Sequence, residues 1–130
     1  MEQEEALNNV VHSLLEERAL VEDAEWDSFA VITSITPSVS DMTAFRYADD
    51  QPGKPTPVRG TKFDQFRQLQ EATLRPDGTP WEVAIVKIDR DSKRFVVNFV
   101  YSDEAELWRV TPDTATRIAE NARPRPADFV

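Results

Sequence analysis

The chain of 130 residues has no cysteine, one histidine and three glycines. Without cysteine it cannot form disulfides, thiolate metal sites or a thiol nucleophile. A single histidine leaves the usual zinc sites without a donor set. With so few glycines, it also lacks the glycine-rich loops that hold phosphates or present a nucleophilic serine. We therefore expect no metal, no cofactor and no catalytic role for this chain.

Long apolar runs are missing too, so no segment approaches the roughly 20 residues of a transmembrane helix. Three of the first five residues are glutamate, and the segment lacks the apolar centre of a secretory signal. By elimination, we expect a cytoplasmic protein. The length suits one domain, predicted over 1–122, and Pro124 and Pro126 predict an extended tail over 123–130.

The acidic excess is concentrated in the first part of the chain. The net charge is −9; the first fifty residues hold 12 acidic and 2 basic side chains, and the other eighty hold 12 and 13. Such a surface repels phosphate backbones and anionic lipids, which argues against nucleic-acid or membrane partners. It attracts basic proteins and steers their association.

Hydrophobic periodicity predicts the element order α-β-β-α-β-β-α. This order is typical of an α+β domain, with an antiparallel sheet of about four strands and helices packed on one face. The proline- and glycine-rich segment 49–60 is predicted to be a surface loop. The predicted helices are 4–21, 61–74 and 111–121, and the predicted strands are 26–36, 39–47, 81–88 and 95–101.

The candidate catalytic side chains have simpler structural interpretations. His12 lies on the polar side of the predicted first helix, where it is expected to be solvated. Asp89 and Asp91 fall in a predicted hairpin turn, where aspartate is common for backbone reasons. An enzyme that used the carboxylates would need a convergent pair with raised pKa values.

Three tryptophans, Trp26, Trp81 and Trp108, lie beside acidic residues at the ends of predicted elements. Packing in or around the core is the favoured interpretation, since large aromatics supply much of a small core. Trp108, which follows Glu106, is the best candidate for an interface anchor instead.

A turn, a hairpin and an aromatic-acidic stretch follow one another in the second half of the chain. They are Leu-Arg-Pro-Asp-Gly-Thr-Pro-Trp at 74–81, the hairpin 83–101, and Tyr-Ser-Asp-Glu at 101–104. Residues 69–122 thereby resemble the bacterial YezG-like immunity (antitoxin) family, although a serine here separates Tyr101 from Asp103. The resemblance implies a cytoplasmic immunity protein that binds and neutralises a cognate toxin, often a nuclease.

The charge pattern agrees with that function, because nucleases that bind phosphates tend to be basic and an acidic inhibitor can occlude them. We expect the toxin contacts to lie in acidic clusters at loops and element ends, where binding residues concentrate. The candidates are Glu22, Asp23, Glu25, Asp27, Asp49, Asp50, Asp103, Glu104, Glu106 and Trp108.

Two other functions remain open at this stage. An adaptor or regulatory subunit would hold a partner without inhibiting it. A small-molecule binding domain would need a pocket ringed by Trp81, Phe95, Phe99 and Tyr101. An exposed edge of the antiparallel sheet would also allow the chain to form a homodimer.

Overall fold

A computed structural model describes residues 2–16, 26–48, 51–56 and 63–129. Within these ranges the chain forms four α-helices, five strands and two short 3-10 turns, Glu106–Trp108 and Pro126–Phe129. The helices are α1 (Gln3–Leu15), α2 (Phe63–Ala72), α3 (Ser102–Ala105) and α4 (Ala115–Ala122). The strands are β1 (Ser28–Ile35), β2 (Ser40–Tyr47), β3 (Lys54–Thr56), β4 (Val83–Asp89) and β5 (Phe95–Val100).

All five strands form one antiparallel sheet in the order β3-β2-β1-β4-β5. β1 is central and pairs along its length with both neighbours. Ser28 lies opposite Tyr47 on β2 and Asp89 on β4, and Ile35 lies opposite Ser40. The α+β fold with an antiparallel sheet is therefore confirmed.

The sheet has five strands rather than the expected four, because β3 forms within the segment predicted to be a loop. Lys54 lies opposite Arg46, and Pro55 lies opposite Phe45. Proline has no N–H to donate, so it is tolerated in a strand only where one side lacks a neighbour. β3 is such an edge strand. It was not predicted because it is only three residues long and contains a proline.

Helices cover both faces of the sheet, which corrects the expectation that they pack on one face. On the first face, α1 and α2 bury side chains such as Leu14 and Leu69 against Phe29 and Val31 of β1. On the second face, α4 buries Ile118, Ala119 and Ala122 against Ala30 and Ile32. The physical reason is that β1 and β4 are apolar on both sides, so each side needs a cover.

The C-terminal helix and tail differ in detail from expectation. α4 begins at Ala115, after a turn in which Thr111 and Thr114 exchange hydrogen bonds from each backbone N–H to the other's Oγ1 (2.8 and 3.2 Å). The tail is not extended throughout, since Pro126–Phe129 folds back over β4 and β5. There Lys87 Nζ lies 3.4 Å from Asp128 Oδ2, and Arg94 donates to the Phe129 carbonyl.

The first-face core contains two polar groups without a hydrogen-bond partner among the described residues, the Trp26 Nε1 and the Thr33 hydroxyl. Thr33 of β1 is fully buried. Its Oγ1 has no hydrogen-bond partner among the described residues. Burying a hydroxyl without a partner costs free energy that an apolar group of the same shape would not.

We predict that Thr33→Val raises the free energy of unfolding by about 1 kcal/mol, because it replaces an unpaired buried hydroxyl with a methyl group. Thermal and urea denaturation of both proteins measure the change. Thr43→Val on β2 is the matched control; Thr43 is only half-buried, so its hydroxyl reaches water and the gain should be smaller. A loss of stability in Thr33→Val would contradict this account of the core.

Candidate partner-binding site

A groove of about 600 Å³ lies at one end of the sheet, between the β1–β2 turn and the segment that follows β5. We call it the acidic groove. Its charged lining is three acids, Asp41, Glu82 and Glu106, and one base, Arg109. Val39 also lines it.

The β1–β2 turn holds one wall of the acidic groove. Thr36 Oγ1 accepts hydrogen bonds from the backbone N–H groups of Ser38 and Val39, at 3.3 and 3.0 Å. The Thr36 N–H donates to the Val39 carbonyl at 2.8 Å, which closes the turn. Val39 is thereby held at the turn with 50 % of its surface exposed.

Glu82 is fixed by the backbones of the strands around it. Its N–H donates to the Val100 carbonyl, and its carbonyl accepts from the Ile35 N–H, both at 2.9 Å. The side chain stays half-buried, at the junction of β1, β4 and β5. The groove floor therefore belongs to the rigid sheet.

The opposite wall is the acidic segment after β5. The Tyr101 carbonyl accepts from the N–H groups of Glu104 and Ala105 at 3.0 and 3.1 Å, which starts α3. Ala105 and the half-buried Trp108 pack on the second-face core. The acids of this segment and Leu107 are then left on the outside, and Leu107 is 58 % exposed.

The negative charge of the acidic groove is only partly offset. Arg109 Nη1 lies 3.4 Å from Glu106 Oε1, and both side chains are largely exposed. Water screens such a pair, so it holds the geometry weakly. Asp41 and Glu82 make no ion pair with a described residue. The end of the sheet thus presents acids next to exposed apolar side chains.

The sequence candidates separate into two places and an undescribed group. Glu106 lines the acidic groove, and Asp103, Glu104 and Trp108 lie on the same segment after β5. Asp27 directly precedes the first residue of β1, whereas the acidic groove lies at the last residues of that strand. The rise of an extended strand separates the two places by about 25 Å. The remaining candidates, Glu22, Asp23, Glu25, Asp49 and Asp50, lie outside the described residues.

Sequence reasoning missed four side chains at this end of the sheet: Val39, Asp41, Glu82 and Leu107. The sequence gives a weak indication for two of them. Val39 lies in a predicted turn and Leu107 lies among acidic residues, and apolar residues in such places are often exposed. Their grouping depends on β4 pairing with β1, a contact between segments about fifty residues apart. No local pattern predicts that pairing.

A second groove, of about 930 Å³, lies at the other end of the sheet. Its charged lining is balanced: Asp27, Asp89 and Glu120 against Arg94, Arg123 and Arg125. We call it the balanced groove.

Contacts around Tyr47 fasten α4 to this end of the sheet. The Tyr47 hydroxyl donates to the Ala119 carbonyl at 2.7 Å, and burial raises the pKa of this phenol. Arg123 donates to both carboxylate oxygens of Glu120, at 3.1 and 2.7 Å, which lowers the pKa of Glu120. A Cβ on Gly53 would lie 2.8 Å from the Tyr47 ring, so only glycine fits there.

His12 and Asp89, two of the candidate catalytic side chains, each make a local contact. His12 is exposed, and its Nε2 lies 3.2 Å from Glu16 Oε1 on the same helix. Hydrogen bonds from Ser92 lower the pKa of Asp89, whereas a carboxylic acid that donates protons near neutral pH needs a raised pKa. Within the described ranges, no cluster of three or more histidine or carboxylate side chains could hold a metal ion.

The aromatic residues proposed to ring a small-molecule pocket are divided between the core and the surface. Phe99 and Tyr101 pack partly buried against the first-face core, and Phe95 is exposed. Trp81 is fully buried and stacks on Phe99, with ring centroids 5.5 Å apart. Its Nε1 donates to Thr73 Oγ1 at 2.9 Å. Neither groove is lined by Trp81, Phe95, Phe99 or Tyr101.

Comparisons with known proteins give no independent guide. No protein-family model matches the chain, and a search of curated proteins finds no significant match. Among the described residues, no helix is long and apolar enough to cross a membrane.

Asp89, on the rim of the balanced groove, closes the β4–β5 hairpin. Its Oδ2 accepts from the Ser92 Oγ at 2.7 Å and from the Ser92 N–H at 2.9 Å. These two hydrogen bonds lower the pKa of Asp89. A carboxylate whose pKa is lowered by folding stabilises the folded state above its unfolded pKa, about 3.9, and this stabilisation is lost as pH falls through the folded value.

We predict that Asp89→Asn lowers the free energy of unfolding at pH 7 by about 0.5 kcal/mol, small because the turn is exposed to water. The difference from wild type should shrink below about pH 4 as Asp89 of the wild type takes up its proton. Denaturation at a series of pH values measures both effects. Asp91→Asn is the control, because exposed Asp91 makes no hydrogen bond with a described residue; equal effects of the two variants would contradict the prediction.

Proposed function

We propose that this protein is a non-catalytic immunity-type inhibitor that binds a basic toxin domain through the acidic groove and covers the toxin's active site. The observation that carries the proposal is the gathering of exposed and half-buried acids beside exposed apolar side chains at one end of the sheet. Asp41, Glu82 and Glu106 supply the charge, and Val39 and Leu107 supply the apolar area.

The two kinds of side chain have different roles in binding. Acids attract a basic surface over a distance and raise the association rate, an effect that salt weakens. Apolar side chains add affinity only at contact, when partner atoms remove them from water. Because Val39 and Leu107 are at least half exposed, each has area left to bury. The combination suits a protein partner better than a small ion.

A nuclease domain has the complementary surface, because it binds phosphates with lysine and arginine. The resemblance of residues 69–122 to the YezG-like immunity family supports the same partner, and this range includes Glu82, Glu106 and Leu107. The groove floor is built from the sheet, so it needs little reorganisation on binding. We place the encounter in the cytoplasm, with a cognate toxin as partner.

The test begins with the partner itself. The tagged protein is used to capture proteins from its native host at low salt, and bound proteins are released by raising the salt. The proposal expects a basic protein that is toxic when expressed alone and is neutralised when this protein is co-expressed. A partner that is bound but stays fully active would instead indicate an adaptor, and the absence of any basic partner would contradict the proposal.

We predict that the triple variant Asp41→Lys, Glu82→Lys, Glu106→Lys slows association with that partner about tenfold or more and reduces its salt dependence. The matched control is Glu4→Lys, Glu5→Lys, Glu71→Lys, which makes the same change in net charge on exposed residues of α1 and α2. Stopped-flow or surface-binding kinetics at several salt concentrations measure both variants. Equal losses in the two would show that net charge matters and the acidic groove does not.

A further inference from the structure

Among the described strands, β5 is the last of the sheet and pairs with β4 alone, which leaves its outer edge without a neighbouring strand. The Arg94 carbonyl accepts from the Asp89 N–H at 2.9 Å, so Arg94 faces β4. Alternation along an antiparallel strand then turns the backbone groups of Phe95, Val97 and Phe99 outward. Among the described residues, no hydrogen bond reaches those outward N–H and C=O groups.

The two edges of the sheet are built differently. At the far edge, β3 is three residues long and contains Pro55, features that discourage another strand from adding. β5 is six residues long, Phe-Val-Val-Asn-Phe-Val, and contains no proline or charge. Its side chains are partly accessible, with Phe95 at 36 % exposure. An edge of this kind is ready to pair with another strand.

The sequence of β5 is complementary to itself. In an antiparallel pair centred on Val97, Val97 of one copy faces Val97 of the other, and each Phe95 faces a Phe99. All of these residues direct their backbone groups outward, so every open N–H meets a C=O of the other copy. The opposed phenylalanines form cross-strand aromatic pairs, which stabilise sheets.

Charge favours the same arrangement. Lys93 and Arg94 precede β5, whereas Asp103 and Glu104 follow it closely on α3. In an antiparallel pair, the basic end of each strand lies beside the acidic end of the other. The chain as a whole carries −9 and repels its own copies, so this edge is a place where two copies meet opposite charges.

We propose that two copies of this chain join through their β5 edges into one continuous ten-stranded antiparallel sheet with two-fold symmetry. A closed symmetric pairing of this kind leaves no further edge except the short β3 strands. It does not rest on the proposed function, because Asp41, Glu82 and Glu106 line the groove at the strand ends rather than the β5 edge. Each dimer would carry two acidic grooves, which lie at opposite strand ends of the joined sheet.

The mass of the full chain in solution tests this proposal. Sedimentation or light scattering at about 100 µM protein and low salt should give twice the 14.8 kDa of one chain. Val97→Pro should give a folded monomer, because the proline removes an outward N–H that makes no hydrogen bond with a described residue. Val97→Thr keeps that N–H and, as the control, should stay dimeric. A monomeric wild type, or a folded and dimeric Val97→Pro, would overturn the proposal.

A charge exchange tests the register independently, including the case in which Val97→Pro does not fold. Lys93→Glu with Arg94→Glu should raise the dimer dissociation constant about tenfold or more, since the new acids would lie near Asp103 and Glu104 of the other copy, just beyond the paired residues. Adding Asp103→Lys and Glu104→Lys should restore the dimer. A dimer that the first pair leaves unchanged, or that the second pair fails to restore, would contradict this register.

Discussion

The structure depends on one strand that is buried on both sides. Phe29 and Val31 of β1 are fully buried under α1 and α2, and Ala30 and Ile32 are equally buried on the side of α4. Because β1 is apolar on both faces, the sheet must have a cover on each face and a paired strand on each side. The parts of the sheet that stay uncovered are then the two ends of its strands, where the grooves form, and its two edge strands.

The two ends of the sheet differ in how far their charges are paired. At the end near Tyr47, charges pair with one another, and Arg123, Glu120 and the Tyr47 hydroxyl hold α4 against the sheet. At the other end, Asp41 and Glu82 make no ion pair with a described residue and lie beside exposed apolar residues. A surface whose charges are already paired has little to offer a charged partner, whereas unpaired acids on a rigid sheet remain available. This contrast is why we assign partner binding to the acidic groove.

Local sequence patterns correctly predicted the elements whose formation depends on neighbouring residues. Strict alternation identified the β4–β5 hairpin, and the periodic apolar residues of α1 and α2 identified both helices. β3 was missed because proline and glycine dominate its surroundings, although an edge strand accepts Pro55. The cover on the second face and the grouping of Asp41 with Glu82 were missed because both depend on β1 lying between β2 and β4. The order of the strands in the sheet depends on packing between segments that are far apart in the sequence. A short stretch of sequence therefore does not predict it.

Hydrogen exchange of the protein, alone and with its captured basic partner, tests the central claim that the acidic groove is the partner-binding surface. Mass spectrometry of the exchanged peptides locates the contact without any substitution. The account predicts slower exchange in the partner complex at residues 36–41 and 102–112, which form the groove walls, and little change around Tyr47 and Arg123. Protection confined to the balanced groove or to α1, with the groove walls unchanged, would contradict it.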